Sequence, residues 1–344
     1  MGNDSELEGF YRFINSDAFD AEDVLEPHVS STVDRCRKEG RVLALHDTTQ
    51  FDFPGELREG MGRTSDGHNG FFAHLGLYVS EEGLKPLGVG SSITWTRSPK
   101  AVKKKRRLKE GESAKVMKES SRWLESVENI EEQRQSAGYS VIHVADSEGD
   151  FFELMSRLKE LEAKFVIRAC QHARLVLQDG KETDLSTALE SARLLGAREI
   201  ELARRVQRAA GTKFEARRNR NRTRPNRPAK VSVRVASVTV PPTNDTRGPG
   251  SAFKVNVVHV AETSPPKGER PVEWTLLTTE AIATEKAAWR VVDIYRKRWQ
   301  IEEFFKCLKT GCSFEKRQVE SYDAMLILLA MLTPIGECPK SCVS

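Results

Sequence analysis

Two short apolar runs that each close on an aspartate constrain this chain more than any other feature. The first is Arg41-Val-Leu-Ala-Leu-His-Asp47-Thr-Thr and the second is Tyr139-Ser-Val-Ile-His-Val-Ala-Asp146-Ser-Glu-Gly-Asp150. Unbroken apolar runs of this length read as short strands buried in a core, ending where the aspartate comes. Gly149 and the spacing of Phe152, Leu154 and Leu158 predict a helix directly after the second strand. One strand-end aspartate is ordinary, because Asp starts turns and caps helices. Asp150 is as readily a first-turn carboxylate favoured by the helix dipole as a ligand.

A third acidic position stands in the run Tyr295-Arg-Lys-Arg298-Trp-Gln-Ile-Glu302-Glu-Phe-Phe-Lys-Cys-Leu-Lys309. At about 100° per residue, Tyr295, Arg298, Glu302 and Lys309 fall within about 60° of one another on a helix. Ile294, Ile301, Phe304 and Leu308 gather on the adjoining face and predict its burial against a core. Taken alone, the run is an amphipathic helix with solvated charges. Beside two strand-end aspartates, an inward Glu302 also suits a carboxylate cluster for divalent ions, and the cations and phenol suit phosphate oxygens.

The blocks Leu45-His-Asp47-Thr-Thr, Ala145-Asp146-Ser-Glu-Gly-Asp150 and Tyr295-x-x-Arg298-Trp-x-Ile-Glu302-Glu-Phe-x-Lys-x-x-Lys309-Thr-Gly resemble the bacterial DDE transposases of the IS-four type. The resemblance runs from about Gly9 to about Leu332, nearly the whole chain. It implies an α/β fold: an RNase H-like (retroviral integrase superfamily) mixed-sheet core with helices and an inserted β-rich subdomain. Asp47, Asp146 and Glu302 would then be the catalytic acids, binding two Mg2+ ions, with Mn2+ as a substitute. The implied reaction is metal-dependent cleavage of double-stranded DNA at transposon ends, through a hairpin, followed by strand transfer into a target. Tyr295, Arg298 and Lys309 would grip backbone phosphates. Trp274 would stack on a base flipped out during hairpin formation, and Arg168 would contact DNA. A strand tryptophan in a core and a solvated strand-end arginine are the plain alternatives for those two. A homodimer in a synaptic complex and a bacterial, nucleoid-associated, cytoplasmic setting belong to the same implication.

Composition agrees with a nucleic-acid partner. Net charge is only +4, but Arg97 to Lys109 holds eight basic residues and no acid, and Lys213 to Lys230 holds eight against one acid. Such blocks form solvated loops, interaction tails or nucleic-acid contacts; with DNA as partner, backbone neutralisation is the preferred reading. No apolar run approaches the roughly 20 residues needed to cross a bilayer, and no secretory signal is present. The scattered cysteines suit a reducing compartment. A zinc set of Cys307, Cys312, Cys338 and Cys342 has irregular spacing and is weak. His46 reads as a strand histidine facing away from the site.

The expected organisation is a helical N-terminal remnant over 1–40, a catalytic core over 41–170 and 281–332, a β-rich insertion over 171–280 and an irregular tail over 333–344. Further strands are expected at Phe71–Val79, Pro86–Trp95, Lys164–Ala169, Ala173–Gln178, Arg198–Gln207, Val231–Val240, Phe253–Ala261 and Val272–Thr278, with a helix around Ala114–Ser136. Phe10, Tyr11, Phe13 and Ile14 are expected to form a small apolar group. Against the resemblance, a DNA-binding domain before Asp47 and dimerising helices after Leu332 are not evident. The chain therefore reads as a truncated transposase, and the alternative function is a catalytically incompetent remnant that only binds DNA or a full-length partner.

Overall fold

A computed structural model describes residues 4–97 except 84, 119–202, 205–207, 222–224, 226–242, 251–319 except 268 and 270, and 321–336. The described chain divides into two compact units. One holds the residues up to Ile167 together with those from Ile294 onward; the other holds Arg168–Pro242 and Ser251–Asp293.

The first unit is built on strand β1 (Arg41–Phe53), whose residues from Val42 to Leu45 are fully buried. After β2 (Gly62–Arg63), β3 (Asn69–Ser80) runs antiparallel to β1, pairing Val42 with Ser80 and Phe53 with Asn69. The following strand β4 (Pro86–Trp95) pairs with β3, and so does β2. On the other side β5 (Ser140–Ala145) is parallel to β1, and β6 (Lys164–Arg168) is parallel to β5. The sheet is therefore mixed. Parallel neighbours need a crossover connection, and the helix Phe152–Glu160 supplies it between β5 and β6.

Helices cover this sheet. In chain order they are α1 (Asp4–Ile14), α2 (Ala21–Glu39), α3 (Ser121–Ala137) and α4 (Phe152–Glu160). Asp20 and Asp23 form a reciprocal capping box at the start of α2. That helix meets β4 through polar contacts: Val89 N–H donates to His28 Nε2 at 3.2 Å, and Arg35 donates to the Leu87 carbonyl. At the far end of β1, Phe51, Phe53, Phe71 and Phe314 form a cluster of ring contacts that Tyr322 joins through Phe71.

The second unit is antiparallel. Its strands are β7 (Leu175–Gln178), β8 (Lys181–Asp184), β9 (Arg193–Leu202), β10 (Arg205–Gln207), β11 (Arg222–Arg224), β12 (Arg227–Val240), β13 (Phe253–Glu262) and β14 (Glu273–Thr278). The long β12 is flanked by β9 and β13, β14 pairs with β13, and β7 forms a hairpin with β8. A short helix α5 (Leu185–Glu190) follows β8, capped by the Asp184 side chain. In the next helix, α6 (Glu285–Arg296), Asp293 pairs with Arg198, whose guanidinium lies 4.3 Å from the Trp289 ring centroid.

Several expectations are corrected. The unit boundaries fall at 167/168 and 293/294, and the first 40 residues belong to the same unit as β1. Of the expected N-terminal apolar group only Ile14 is buried; Tyr11 and Phe13 are exposed. The strand expected at Arg198–Gln207 begins at Arg193, where pairing with Val235 outweighs the charged pattern. The irregular tail expected over 333–344 starts too early: α8 (Tyr322–Gly336) continues through Pro334 while the Thr333 hydroxyl donates to the Leu329 carbonyl. Residues 337–344, and with them Cys338 and Cys342, lie outside the described residues. So do the basic run Lys103–Arg107 and most of Lys213–Lys230. The start of the expected 114–136 helix lies there too, and the described part is Ser121–Ala137.

Candidate active site

Parallel register brings the two aspartates together. His46 of β1 stands beside Ala145 of β5, the last pair of their ladder, so Asp47 and Asp146 each follow directly on a paired residue. Asp146 leaves its strand to cap the short turn Ser147–Gly149, accepting the Glu148 N–H at 2.8 Å. The Oδ1 of Asp47 accepts the N–H of Thr48 at 2.8 Å.

Charge is crowded here. The Asp47 carboxyl is pushed up to about 7, first by burial and then by Asp146, while Arg298 and the Thr48 N–H pull the other way. Glu148 is raised as well, by burial, by Asp146 and by Glu119. Glu148 is therefore a fourth carboxylate of the site, absent from the expectations. Its only sequence signal was its position two residues after Asp146.

The third acid arrives on the helical segment, which is not one continuous α-helix as its pattern suggested. Helix α6 ends at Arg296, and α7 (Trp299–Lys306) begins after a tight turn in which Lys297 and Arg298 N–H groups bond back three residues. A π-helical turn, Cys307–Gly311, follows. Lys297 reaches the Glu81 carbonyl from this junction. Arg298 and Glu302 keep their helical spacing across it and form an ion pair.

Arg298 joins the two halves of the site. Its Nη1 lies 3.4 Å from Asp47 Oδ2 while Nη2 pairs with Glu302. Burial by itself would lower the guanidinium pKa, but Glu302, Tyr295 and Asp47 together hold it above its ordinary value. Tyr295 is buried beside it. Lys309 donates to the Gln50 carbonyl at 2.6 Å and lies 3.8 Å from Glu315, at the distal half of β1.

Asp47, Asp146, Glu302 and Arg298 are thus brought together, with Tyr295 adjoining. Lys309 sits further along β1. Arg168 and Trp274 belong to the second unit: Arg168 ends β6, and Trp274 is half-buried on β14 opposite Val260. Among the described residues, no three Asp, Glu, His or Cys side chains are grouped so as to hold a metal ion; Arg298 stands against two of the three acids. The donor chemistry nevertheless fits a hard divalent cation. The acids offer only oxygen ligands, and Asp47 is raised first by burial and then by the neighbouring Asp146 carboxylate, both of which a bound cation would offset.

No described helix is long and apolar enough to cross a membrane. A family model described as "Transposase DDE domain" matches residues 118–333.

Proposed function

The chain belongs to the transposase DDE domain family, whose members bind and recombine DNA with divalent metals, and on that premise we propose that Asp47, Asp146 and Glu302 are its catalytic acids. The finer reading is a cut-and-paste enzyme of the IS-four type, working through a DNA hairpin with two Mg2+ ions, or Mn2+ in their place. The observation that carries it is the convergence of charge at one place: Arg298 reaches both Asp47 and Glu302, and Asp146 lies close enough to raise the Asp47 pKa. The α/β architecture with a mixed sheet is consistent with the RNase H-like fold that the family implies.

Asp47, Asp146 and Glu302 would hold divalent ions, which would supply Lewis acidity towards water and the phosphate. The protein's own residues do the rest. Asp47 is oriented by the Thr48 N–H on Oδ1, with Oδ2 turned to Arg298. Arg298 is the resident counter-charge of Asp47 and Glu302 and would be free to take a DNA phosphate if cations were held by those acids. Guanidinium groups suit both partners, since each presents a planar fork of acceptors. Tyr295 buttresses Arg298, and Lys309 adds a point charge for the DNA backbone. Trp274 offers its face to an extruded base, and Arg168 a phosphate contact, from an inserted β-rich subdomain spanning about 168–293. Two copies of the chain would pair on the transposon ends.

Cleavage of plasmid DNA and of end-bearing duplexes in Mg2+ and Mn2+ tests this reading. Asp47→Asn, Asp146→Asn and Glu302→Gln should each lower strand cutting by at least about a hundredfold while DNA binding persists, because even residues supporting a metal ligand change activity by about 10- to 100-fold. Full activity in any of the three variants removes that residue from the site.

A further inference from the structure

The face of β1 turned away from Asp47 carries a buried polar line that the proposed reaction does not use. His46, His74 and His143 are 1%, 0% and 2% exposed. Buried imidazoles need hydrogen-bond partners, and these three use all of their ring nitrogens in one continuous series. Glu131 of α3, itself held by Arg134 at 2.7 Å, lies 3.0 Å from His143 Nε2. The Nδ1 of His143 lies 2.9 Å from His46 Nε2. His46 Nδ1 is 3.4 Å from His74 Nε2, and His74 Nδ1 is 3.0 Å from Thr48 Oγ1. Thr48 in turn donates its N–H to Asp47 Oδ1.

Strand geometry explains the line. Alternation sends His46 and Thr48 to the same face of β1, and Thr48 pairs directly with His74 on β3. Gly76 pairs with His46, and a β-carbon there would come within 2.5 Å of Ile130 Cδ1; the missing side chain lets α3 close over the histidines. The Trp123 ring lies 4.4 Å from that of His74 and 6.2 Å from that of His46.

The direction of the bonds follows from the end groups. A carboxylate only accepts, and a neutral imidazole has one donor and one acceptor. Every link is satisfied when each of the three imidazoles carries a single proton. With Nε2–H of His143 given to Glu131, Nε2–H of His46 goes to His143, Nε2–H of His74 goes to His46, and the Thr48 hydroxyl donates to His74.

We propose that Glu131, His143, His46 and His74 are positioning residues that fix the Thr48 side chain and, through the Thr48 N–H, aim Asp47 Oδ2 for divalent-cation binding. The inference rests on the reading of Asp47 as a metal ligand. A hydroxyl committed to His74 locks the Thr48 rotamer at the point where the chain leaves the β1–β5 ladder. The Thr48 N–H then holds Oδ1 of Asp47 and fixes the carboxylate plane, and Oδ2 is the oxygen that lies 3.4 Å from Arg298.

Mn2+ binding to the metal-free full chain, followed by electron paramagnetic resonance, tests the proposal together with nitrogen NMR of labelled histidine. Wild-type His46 and His74 should both show the Nε2–H tautomer. Thr48→Val and His74→Phe should each weaken Mn2+ binding by about tenfold, as expected of groups that orient a ligand, and the double variant should be no weaker than either single one. His143→Phe should disturb the His74 tautomer two links away, and His143→Asn, with an amide oxygen near the Nδ1 position, should restore it. Asp47→Asn sets the reference. If it abolishes Mn2+ binding while Thr48→Val leaves it within about twofold of wild type, or if the effects of Thr48→Val and His74→Phe multiply independently, the positioning role is overturned. An Nδ1–H tautomer at His74 also overturns it. Mn2+ binding indifferent to Asp47→Asn overturns the metal-ligand reading and this inference with it. Thr48→Val removes one hydroxyl at constant shape, so it decides the matter even if His74→Phe does not fold.

Discussion

At Gly88 the backbone stands at φ +136°, and a β-carbon there would lie 2.0 Å from Thr32 Oγ1. Helix α2 docks on β4 at this point, so both conformation and space demand glycine. Gly88→Ala is expected to destabilise the fold by about 2–4 kcal/mol, read as a lower urea midpoint at unchanged slope. The same scale explains Glu148. Nothing in its local sequence distinguishes it from an ordinary turn acid; burial in the fold, and then the nearby Asp146 and Glu119, raise its pKa. Arg298 differs again: its spacing to Glu302 was legible on a helix, but its reach to Asp47, 251 residues away in sequence, was not.

Among elements, the layer of β1, β3, β5 and α3 carries the clearest consequence for pH. Burial lowers the His74 pKa to about 3, and His46 is also lowered well below its ordinary value. In the unfolded chain both rings take up protons near pH 6.5. The stabilisation is therefore fully present above about 6.5 and is lost as pH falls below it, since the unfolded state then binds more protons. Between pH 6.5 and 5 the loss should be about 1.6 kcal/mol from His74, with His46 adding to it in the same direction, measured as denaturant stability at the two pH values. A flat profile over that interval would contradict the buried neutral histidines. The broken helix at Lys297–Arg298 belongs to this scale too. Its apolar spacing was continuous, but the pattern carries no sign of the lysine contact to the Glu81 carbonyl or of the π-helical turn that follows.

Across the whole molecule, net charge is near balance while basic residues are concentrated in two stretches. Affinity for DNA should therefore depend on those stretches more than on total charge. Replacing Lys103, Lys104, Lys105, Arg106 and Arg107 by Gln should weaken binding at low salt and reduce the salt slope of log K by up to about 4.5, because each phosphate contact contributes roughly 0.9. A slope unchanged from wild type, measured by fluorescence anisotropy over a salt series, would remove that segment from the DNA interface.

How much was readable beforehand divides along the range of the interactions. Strands β1, β3, β4, β5 and β6 and the helix after Asp146 follow from hydrophobic runs and alternation, because burial on a strand or helix face repeats every two or three to four residues. The long strands β12, β13 and β14 were visible for the same reason, whereas β8 and α5 were too short and polar to leave a period. The position of Asp146 at the end of β5 and the relation of Arg298 to Glu302 are local and were set by the chain itself; Asp47, expected at a strand end, lies inside β1 instead, because pairing with β3 carries that strand on to Phe53. Parallel register, the guanidinium shared by acids from opposite ends of the chain, the closure of α3 over Gly76 and the Glu131-to-Thr48 line arise only when distant segments meet. Periodicity records which side of an element faces a core; it does not record which atoms wait on the other side, and that was decided by tertiary packing.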